Sequence, residues 1–510
     1  MSEFQKIDID VDRHDSTSVE KYIDAAPGIE RHKVTPVNAE KNRELYVSRE
    51  PIYPKRVSGT FRNLKWIAMA LTLGVYYLLP WLRWERGENL PNQAFLIDFA
   101  NQRILFFGME IWAQEFYYVT GFLVVATLLL YLITSLAGRV WCGYSCPQTV
   151  WTDLMIAVER FFQGDRNARI RLDKSPWNFP KIWKKTATHI TWLIISIATG
   201  GMMVFYFRDA PTLLVEFINF EAPAIAYIFL GIFTGTTYLL GGFAREQVCT
   251  YMCPWPRIQG ALFDKDSLLV TYRDNRGEPR GPHKKDETWD GRGDCISCKQ
   301  CVVVCPMGID IRDGPQLECI QCALCIDACN SIMDKIGRPR DLISYDSYRN
   351  IETDGGEQDL GWRLIRPRTI LYSVLIFAVC ALMAYGFLSK SVVDVSVLRD
   401  RNPLYVRLSD GSIRNGYTVK ILNKLYETRR FRLEVEGLPR PQISIIGIGD
   451  NRNNLIDVPS DDLRILRVYL KVPQSSLLTL TGEITDFNFK VTDLKDNTME
   501  TQSTTFRRPK

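Results

Sequence analysis

The chain has 510 residues, of which 46% are hydrophobic and 24% are charged, and its formal net charge is +5. A chain of this length is too long for one ordinary core, so we expect several domains. The modest charge, without an arginine-rich face or zinc-finger spacing, argues against a nucleic-acid-binding protein. Thirteen unevenly spread cysteines argue against a disulfide framework.

The first 60 residues are polar, with scattered prolines and no sustained hydrophobic period. They begin with a charged stretch that lacks an apolar core, so we do not expect a cleaved signal peptide. The pattern predicts a partly disordered cytoplasmic arm over residues 1–60.

Five apolar stretches of about 20 residues have the length that a membrane-spanning helix needs. The lysines and arginines around them predict a cytoplasmic N-terminus and an external C-terminus, because positive residues favour the cytoplasmic side. Four of the spans form a predicted membrane region over residues 61–270, and the fifth lies within residues 363–392. The predicted spans are Leu64–Leu82, Tyr117–Ala137, His189–Phe207, Pro223–Phe243 and Ile370–Leu388.

The second and fourth spans both end in the motif Cys-x-Tyr-x-Cys-Pro, which indicates that spans one and two are repeated as three and four. The copies contain Cys142 and Cys146, and Cys249 and Cys253. Cysteines four residues apart are expected on one helical face, and the proline interrupts helical hydrogen bonding nearby. If the repeats pack around a pseudo-two-fold axis, the four thiols face one another.

Four thiolates at a membrane surface suit Cu(I) or another thiophilic centre. Alternatively, each pair cycles between dithiol and disulfide. A role as small packing residues does not explain a duplicated motif, whereas we expect that role for the lone Cys380 in the fifth span.

Eight further cysteines lie in the segment 271–362, which is predicted to be a cytoplasmic ferredoxin-like domain with two [4Fe–4S] clusters. In each four-cysteine run the first three thiolates hold one cluster, and the fourth is too distant and ligates the other cluster. Asn330 replaces the proline expected after the second run, which puts the local turn in doubt. The predicted ligands are Cys295, Cys298, Cys301 and Cys329 for the first cluster, and Cys319, Cys322, Cys325 and Cys305 for the second.

Residues 393–510 carry short alternating runs separated by turn signals, which predict a β-sandwich outside the cytoplasmic membrane. This segment contains neither cysteine nor histidine, so we expect a docking or assembly role. The predicted strands include TVKIL, RFRLEVEG, QISIIGIG, RILRVYLKV and LLTLTGEI.

Taken together, the spans, the paired motifs and the two ferredoxin runs resemble the CcoG family, also called FixG or RdxA, over nearly the whole chain. Members are bacterial inner-membrane polyferredoxins needed to mature cbb3-type cytochrome c oxidases. The resemblance implies an immunoglobulin-like fold for the periplasmic residues 393–510. It also implies reduction of Cu(II) to Cu(I) for delivery to the oxidase.

Carried over to this sequence, the reductase role falls on the four motif cysteines, and the clusters are held by the eight ligands named above. The motif cysteines are Cys142, Cys146, Cys249 and Cys253. The implied partners are oxidase subunits or copper chaperones, an unidentified cytoplasmic electron donor and the lipid bilayer. A homodimer is the expected assembly.

Two alternatives to a cupric reductase stay open at this point. One is a quinol dehydrogenase subunit of the NapH type, although the fifth span and the β-domain argue against it. The other is a non-enzymatic scaffold for oxidase assembly, although scaffolding does not require two clusters and four extra thiols. The four histidines are too few and too dispersed to predict a bis-histidine haem within the spans.

Overall fold

The computed structural model describes residues 29–509 except for positions 33, 39–49, 87–90, 284–288, 290, 355–362, 390–392, 426, 448–453, 461, 478 and 481. The chain forms two compact units. One contains the described residues up to Trp84 together with 91–383, and the other contains Glu85, Arg86 and the described residues from Ala384 onward. Much of the predicted arm, residues 1–28 and 39–49, lies outside the described residues.

The first unit is built around apolar helices. Within the described residues, five helices are long and apolar enough to cross a membrane, which agrees with the five predicted spans. These five are Thr60–Trp81, Tyr117–Ala137, Phe179–Phe205, Ala224–Ala244 and Pro367–Leu388. The helices that precede the cluster domain are α1 (Thr60–Leu78), α2 (Tyr117–Ala137), α3 (Val140–Tyr144), α4 (Pro147–Gln163), α5 (Arg166–Lys174), α6 (Phe179–Phe205), α7 (Ala210–Ile218), α8 (Ala224–Thr237) and α9 (Trp255–Leu262).

Helix α6 begins ten residues before the predicted span, which started at His189. The Asn178 side chain accepts a 3.0 Å hydrogen bond from the backbone N–H of Lys181 and caps the helix, and Pro180 suits its first turn. The charged and aromatic residues from 179 to 188 had hidden this start, because a hydropathy pattern detects only the apolar part of a longer helix.

A small β-sheet and two π-helical segments lie between these α-helices. A small antiparallel sheet of order β1 (Phe95–Asp98), β2 (Arg103–Phe106) and β3 (Met109–Trp112) lies between α1 and α2 and was not predicted. Helix α8 continues as a π-helical stretch over Tyr238–Ala244, and a second π-helical turn covers Val248–Met252.

The cluster domain follows α9 and is held together by a two-stranded antiparallel sheet. Its elements are β4 (Leu269–Tyr272), α10 (Asp274–Gly277), α11 (Gln300–Val304), α12 (Leu324–Ile336), β5 (Ile343–Asp346) and α13 (Tyr348–Asp354), and α14 (Pro367–Leu388) then forms the fifth apolar helix. Buried aliphatic side chains such as Val302 and Ile326 pack between the sheet and the cysteine loops.

Asp327 of α12 ties the cluster domain to the first apolar helix. Its carboxylate accepts hydrogen bonds from the backbone N–H groups of Phe61, at 3.2 Å, and Arg62, at 2.8 Å. Gly59, which precedes α1, has no capping side chain, so a residue of the cluster domain caps the helix instead.

The described parts of the N-terminal segment also pack on this domain. The backbone N–H of Lys55 donates to the carbonyl oxygen of Val303 at 2.9 Å. The side chain of Asn38 donates to the carbonyl oxygen of Met307 at 2.7 Å. The described residues of this segment are therefore attached to the domain.

The second unit is the β-sandwich. One sheet has the order β10-β12-β8-β6, with β7 paired to β8, and the other has the order β11-β9-β13-β14. Tyr417, Phe431 and Phe489 are buried in the core between the sheets. The elements are β6 (Val393–Arg399), β7 (Val406–Arg407), β8 (Ile413–Asn423), β9 (Arg429–Glu436), β10 (Gln442–Ile445), β11 (Leu455–Val458), β12 (Asp462–Val472), α15 (Gln474–Leu477), β13 (Ile484–Asp493) and β14 (Met499–Arg507).

One strand prediction in this unit was wrong. The run LLTLTGEI, residues 477–484, begins at the end of α15 and joins a strand only at Ile484. Leu477 and Leu480 are both buried in the core, and Gly482 has a φ of +95°. These two leucines of the run are therefore buried in the core without forming a strand. The turn at Gly482 uses a backbone conformation that glycine adopts readily.

Candidate redox site

Four cysteines of the cluster domain line one cavity. Three of them belong to the first four-cysteine run, and the fourth, which lies in α12, belongs to the second run. They are Cys295, Cys298, Cys301 and Cys329, the set predicted for the first cluster. Arg312 also lines this cavity, and its guanidinium lies 4.0 Å from the sulfur of Cys295.

A second cavity has the complementary set of thiols. Its cysteines are Cys305, Cys319, Cys322 and Cys325, the set predicted for the second cluster. Cys301 contributes to the walls of both cavities, so the two lie side by side. Apart from Gln321, the remaining lining residues of this second cavity are apolar.

The two cysteine loops have the same backbone conformation. Ser297 and Lys299 flank Cys298 with φ values of +53° and +57°, and Gln321 and Ala323 flank Cys322 with values of +54° and +59°. Residues other than glycine rarely adopt this left-handed backbone conformation, because it costs free energy. Contacts with the surrounding structure must therefore hold these four residues in it. The duplicated turn brings three thiols of each loop toward one cavity.

Asn330, the departure from the ferredoxin pattern, lies inside α12. Its side chain donates to Asp341 at 3.1 Å and accepts from the backbone N–H of the same residue at 2.8 Å. Asparagine retains the N–H that proline lacks, so the helix continues through this position to Ile336. After Cys305, in contrast, Pro306 follows the end of α11.

The residues around both cavities fit [4Fe–4S] clusters. Each cavity brings together four thiols of the kind that binds such clusters, and Cys301 also contributes to the wall of the second cavity. When bound, such clusters supply or accept single electrons.

In the first Cys-x-Tyr-x-Cys-Pro motif the two thiols do not share a helical face. Cys142 lies in the short helix α3, whereas Cys146 is extended, with φ −61° and ψ 128°, and precedes α4. The prediction of one i, i+4 face was therefore wrong. Proline disfavours the helical conformation in the residue before it, and Pro147 starts a new helix at its preferred first position.

The second motif repeats this arrangement. Cys249 lies in the π-helical turn, and Cys253 is extended before Pro254, with φ −81° and ψ 123°. The exposure of the two motifs differs: Tyr144 of the first motif is buried, whereas Tyr251 and Met252 of the second are more than 60% exposed. The two motifs therefore share a similar backbone arrangement around their cysteines, but they differ in solvent exposure.

The first motif packs directly on the loop of the second cavity. A Cβ atom at Gly143 would lie 2.8 Å from the carbonyl oxygen of Ile320 and 3.1 Å from the Cα of Cys322. The hydroxyl of Tyr144 donates a 3.3 Å hydrogen bond to the carbonyl oxygen of Cys322. The glycine thus allows a backbone-to-backbone contact that a side chain would prevent.

Cys142 and Cys249 pack against one apolar cluster that also contacts Cys305 and Cys319 of the second cavity. Within the described part of the chain, however, no three cysteine, histidine or carboxylate side chains are placed to hold a single metal ion. Cys142 and Cys249 are therefore neighbours of the second cavity, and the four motif thiols are not gathered as a preformed cage for one ion.

Burial controls the acidity of two motif thiols. Desolvation raises the pKa of Cys142 to about 11 and that of Cys249 to about 12, and neighbouring cysteines add to the effect. Both groups are therefore neutral thiols at neutral pH in the metal-free protein. A metal that binds them must displace their protons.

Two polar residues beside the motif were missed by the sequence interpretation. Gln259 is fully buried, accepts a 3.4 Å hydrogen bond from the Cys142 thiol and donates to Thr134. Arg139 is 2% exposed and donates to the carbonyl oxygen of Cys319 at 3.2 Å. An arginine just before the cysteines in both repeats, Arg139 and Arg245, was the available signal.

Comparison with known protein families agrees with this site. A family model described as a 4Fe-4S dicluster domain matches residues 244–348, and one described as a 4Fe-4S binding domain matches residues 119–167. The first range contains the eight cluster cysteines and the second motif, and the other contains the first motif. A model of the IG-like fold at the C-terminus of FixG matches residues 383–509.

Individual relatives are similar over most of their length. The nitrogen fixation protein FixG of Rhizobium meliloti is 50% identical over 86% of this chain and 90% of its own length. Protein RdxA of Cereibacter sphaeroides is 51% identical over 88% of this chain and 95% of its own length. The ferredoxin-type protein NapH of Escherichia coli is 22% identical over 57% of this chain and 94% of its own length.

Proposed function

Since the chain belongs to the FixG/RdxA family of iron–sulfur electron-transfer proteins, we propose that it reduces Cu(II) to Cu(I) at its paired cysteine motifs. The Cu(I) product serves the maturation of a cbb3-type cytochrome c oxidase. The identification of copper as the substrate rests on the family resemblance and on the softness of the four thiols.

One observation carries this proposal: the first cysteine motif is in backbone contact with the loop of the second cluster cavity. Gly143 lies against Ile320 and Cys322, and Tyr144 is hydrogen-bonded to Cys322. An acceptor bound at Cys142 is therefore separated from the cluster ligands by packed protein and no solvent layer. Contact of this kind favours electron transfer from the second cavity to the motif.

The reaction consumes one electron for each copper ion, so that Cu(II) becomes Cu(I) and the donor is oxidised by one electron. The motif residues bind the ion, and the thiols of Cys142 and Cys249 release their protons to do so. Thiolates favour Cu(I) over harder ions. Cys253, which is exposed, is suited to capture and release of the ion.

We infer the orientation from the positive residues around the apolar helices. The N-terminus and the cluster domain face the bacterial cytoplasm, where an unidentified reductant supplies electrons. The β-sandwich faces the periplasm and docks an oxidase subunit or a copper chaperone. The protein sits in the inner membrane, and a homodimer is the expected assembly.

The direct test is Cu(II) reduction by the anaerobically purified full-length protein, with a one-electron donor and a Cu(I)-specific chelator as readout. The double variant Cys142→Ser, Cys249→Ser should retain its iron and lose most of the turnover. Cys380→Ser, which removes an exposed thiol of α14, is the matched control and should behave like the wild type. Equal turnover in all three proteins refutes the site assignment.

Similarity to NapH supports a second candidate, an electron relay that oxidises quinol. The two functions differ in the direction of electron flow, since quinol would reduce the clusters and Cu(II) would oxidise them. Membranes that contain the protein should show cluster reduction by a quinol analogue only if the second candidate is correct. Absence of that signal, together with Cu(II)-dependent oxidation of the clusters, supports the reductase.

A further inference from the structure

A buried arginine lies between the second cluster cavity and the two cysteine motifs. The guanidinium of Arg139 donates to the carbonyl oxygens of Leu317 and Cys319, which belong to the second cluster loop. It also donates to the carbonyl oxygen of Pro256, just after the second motif. One side chain thus joins the first motif, the second motif and the cluster loop.

This guanidinium has no carboxylate partner among the residues that the structure describes. Its hydrogen-bond acceptors are neutral carbonyl oxygens, and its Nε finds no acceptor. Removing an arginine charge from water without a counter-charge is unfavourable, and arginine does not escape by losing its proton. Nearby negative charge would therefore stabilise this arrangement. The ionisable groups that interact with the guanidinium are the thiols of Cys142, Cys319, Cys253 and Cys249, of which Cys319 belongs to the second cluster set.

The arginine of the first cavity provides a comparison. Arg312 is also close to cluster ligands, but its guanidinium forms an ion pair with the buried Asp310 at 2.6 Å. Arg245, the corresponding arginine of the second repeat, is paired with Glu159 at 3.1 Å. Among these three, Arg139 alone has no carboxylate partner within the described residues, and it donates to the backbone of Cys319, which lines the second cavity.

We propose that Arg139 is the counter-charge of the second cluster and raises its reduction potential relative to the first. A reduced cluster carries one more negative charge than an oxidised one, so a nearby cation stabilises the reduced form. Electrons move toward the centre of higher potential, and Arg139 thereby directs them toward the cavity that contacts the cysteine motifs. This inference rests on cluster binding and does not require copper to be the acceptor.

The test is an EPR-monitored redox titration of the anaerobic full-length protein in detergent, without copper. Cys305→Ser and Cys329→Ser variants assign the signals of the two clusters. Arg139→Gln should shift the second cluster to a more negative potential and leave the first unchanged. Arg139→Lys, which keeps the charge, should stay near the wild type, and Arg257→Gln, an exposed arginine of α9, should change neither potential.

Two outcomes overturn the inference. In one, Arg139→Gln keeps both clusters with unchanged potentials, which means that the charge does not act on the second cluster. In the other, Arg139→Gln and Arg139→Lys both lose half of the iron, which means that the hydrogen bonds of arginine are structural. Cu(II) turnover enters neither readout, so a failure of the proposed function remains distinguishable.

Discussion

Tyr144 donates a 3.3 Å hydrogen bond to the backbone carbonyl oxygen of Cys322, and this bond joins a cysteine motif to a cluster loop. Tyr144 is the central residue of the first motif, and Cys322 is the central cysteine of the second ferredoxin run. Two segments that are far apart in sequence therefore form one buried contact.

Replacing Gly143 with alanine should separate the motif from the cluster loop. The added Cβ would meet the backbone oxygen of Ile320 at 2.8 Å, and backbone atoms have little room to move. We expect unchanged iron content and a roughly 10- to 100-fold slower oxidation of the reduced clusters by Cu(II), the effect of a small misplacement. Stopped-flow absorbance measures the rate.

The matched control for this variant is Gly231→Ala in α8, where an added Cβ meets nothing within 4 Å. Cu(II) should oxidise the reduced clusters of this control variant at the wild-type rate. A Gly143→Ala protein that is as fast as this control would show that the contact between Gly143 and Cys322 does not carry the electrons.

Serine at Cys305 or Cys329 should remove different clusters. The fourth cysteine of each run lines the cavity of the other run, so Cys305→Ser should lose the second cluster and Cys329→Ser the first. Each variant is expected to keep about half of the wild-type iron, with a different EPR signal remaining. Loss of the same signal in both variants would contradict the exchange of ligands between the runs.

Replacing Asp327 with alanine should loosen the cluster domain from α1. The carboxylate caps two backbone N–H groups of the helix, and loss of such a cap costs about 1–2 kcal/mol. The temperature at which the clusters are lost should fall. Asp334→Ala, a change on the same helix as Asp327, breaks an exposed ion pair with Arg340 and should have little effect. Equal effects of the two variants would argue against the capping role.

Alkylation should distinguish the motif thiols by pH. Burial raises the pKa of Cys142 to about 11 and that of Cys249 to about 12, so their thiolate fractions rise about tenfold per pH unit from pH 7 to 10. In copper-free protein, iodoacetamide should modify the exposed Cys253 first and the two buried thiols only at alkaline pH. Mass spectrometry of peptides reports the order, and rapid labelling of Cys142 at pH 7 would contradict it.

The same shifts fix the sign of the pH dependence of stability. In the folded protein these thiols hold their protons above the pH at which unfolded cysteines lose them, near 8.5. Their contribution to stability is therefore complete below about pH 8.5 and declines as the pH rises toward the folded values of about 11 and 12.

The features set by local chemistry were accessible from the sequence. Cysteine spacing predicted which thiols line each of the two cavities, because three thiols in one tight turn cannot include the fourth. Hydropathy found the apolar core of each of the five helices that are long and apolar enough to cross a membrane, but it missed the polar start of α6 at Phe179. The shared helical face of Cys142 and Cys146 was expected from spacing alone, and the backbone restriction imposed by Pro147 overrode it.

Features that depend on distant partners were not accessible. Nothing local to Gly143 indicates that its neighbour is Cys322, and nothing local to Arg139 indicates that a carboxylate is missing. Both facts emerge only when the cluster domain folds against the helices. Similarly, the cap of α1 comes from Asp327, 266 residues away from Phe61, where no N-terminal capping pattern could reveal it.

We propose that electrons reach Cu(II) from the second cluster through the cysteine motifs. The most direct measurement mixes anaerobically reduced protein with Cu(II) in a stopped-flow instrument and records cluster oxidation and Cu(I) formation together. In the wild type both should proceed at one rate and with equal electron counts. In a protein with serine at all four motif cysteines, both should be largely lost while the iron content stays the same. Wild-type rates in that variant would contradict the account.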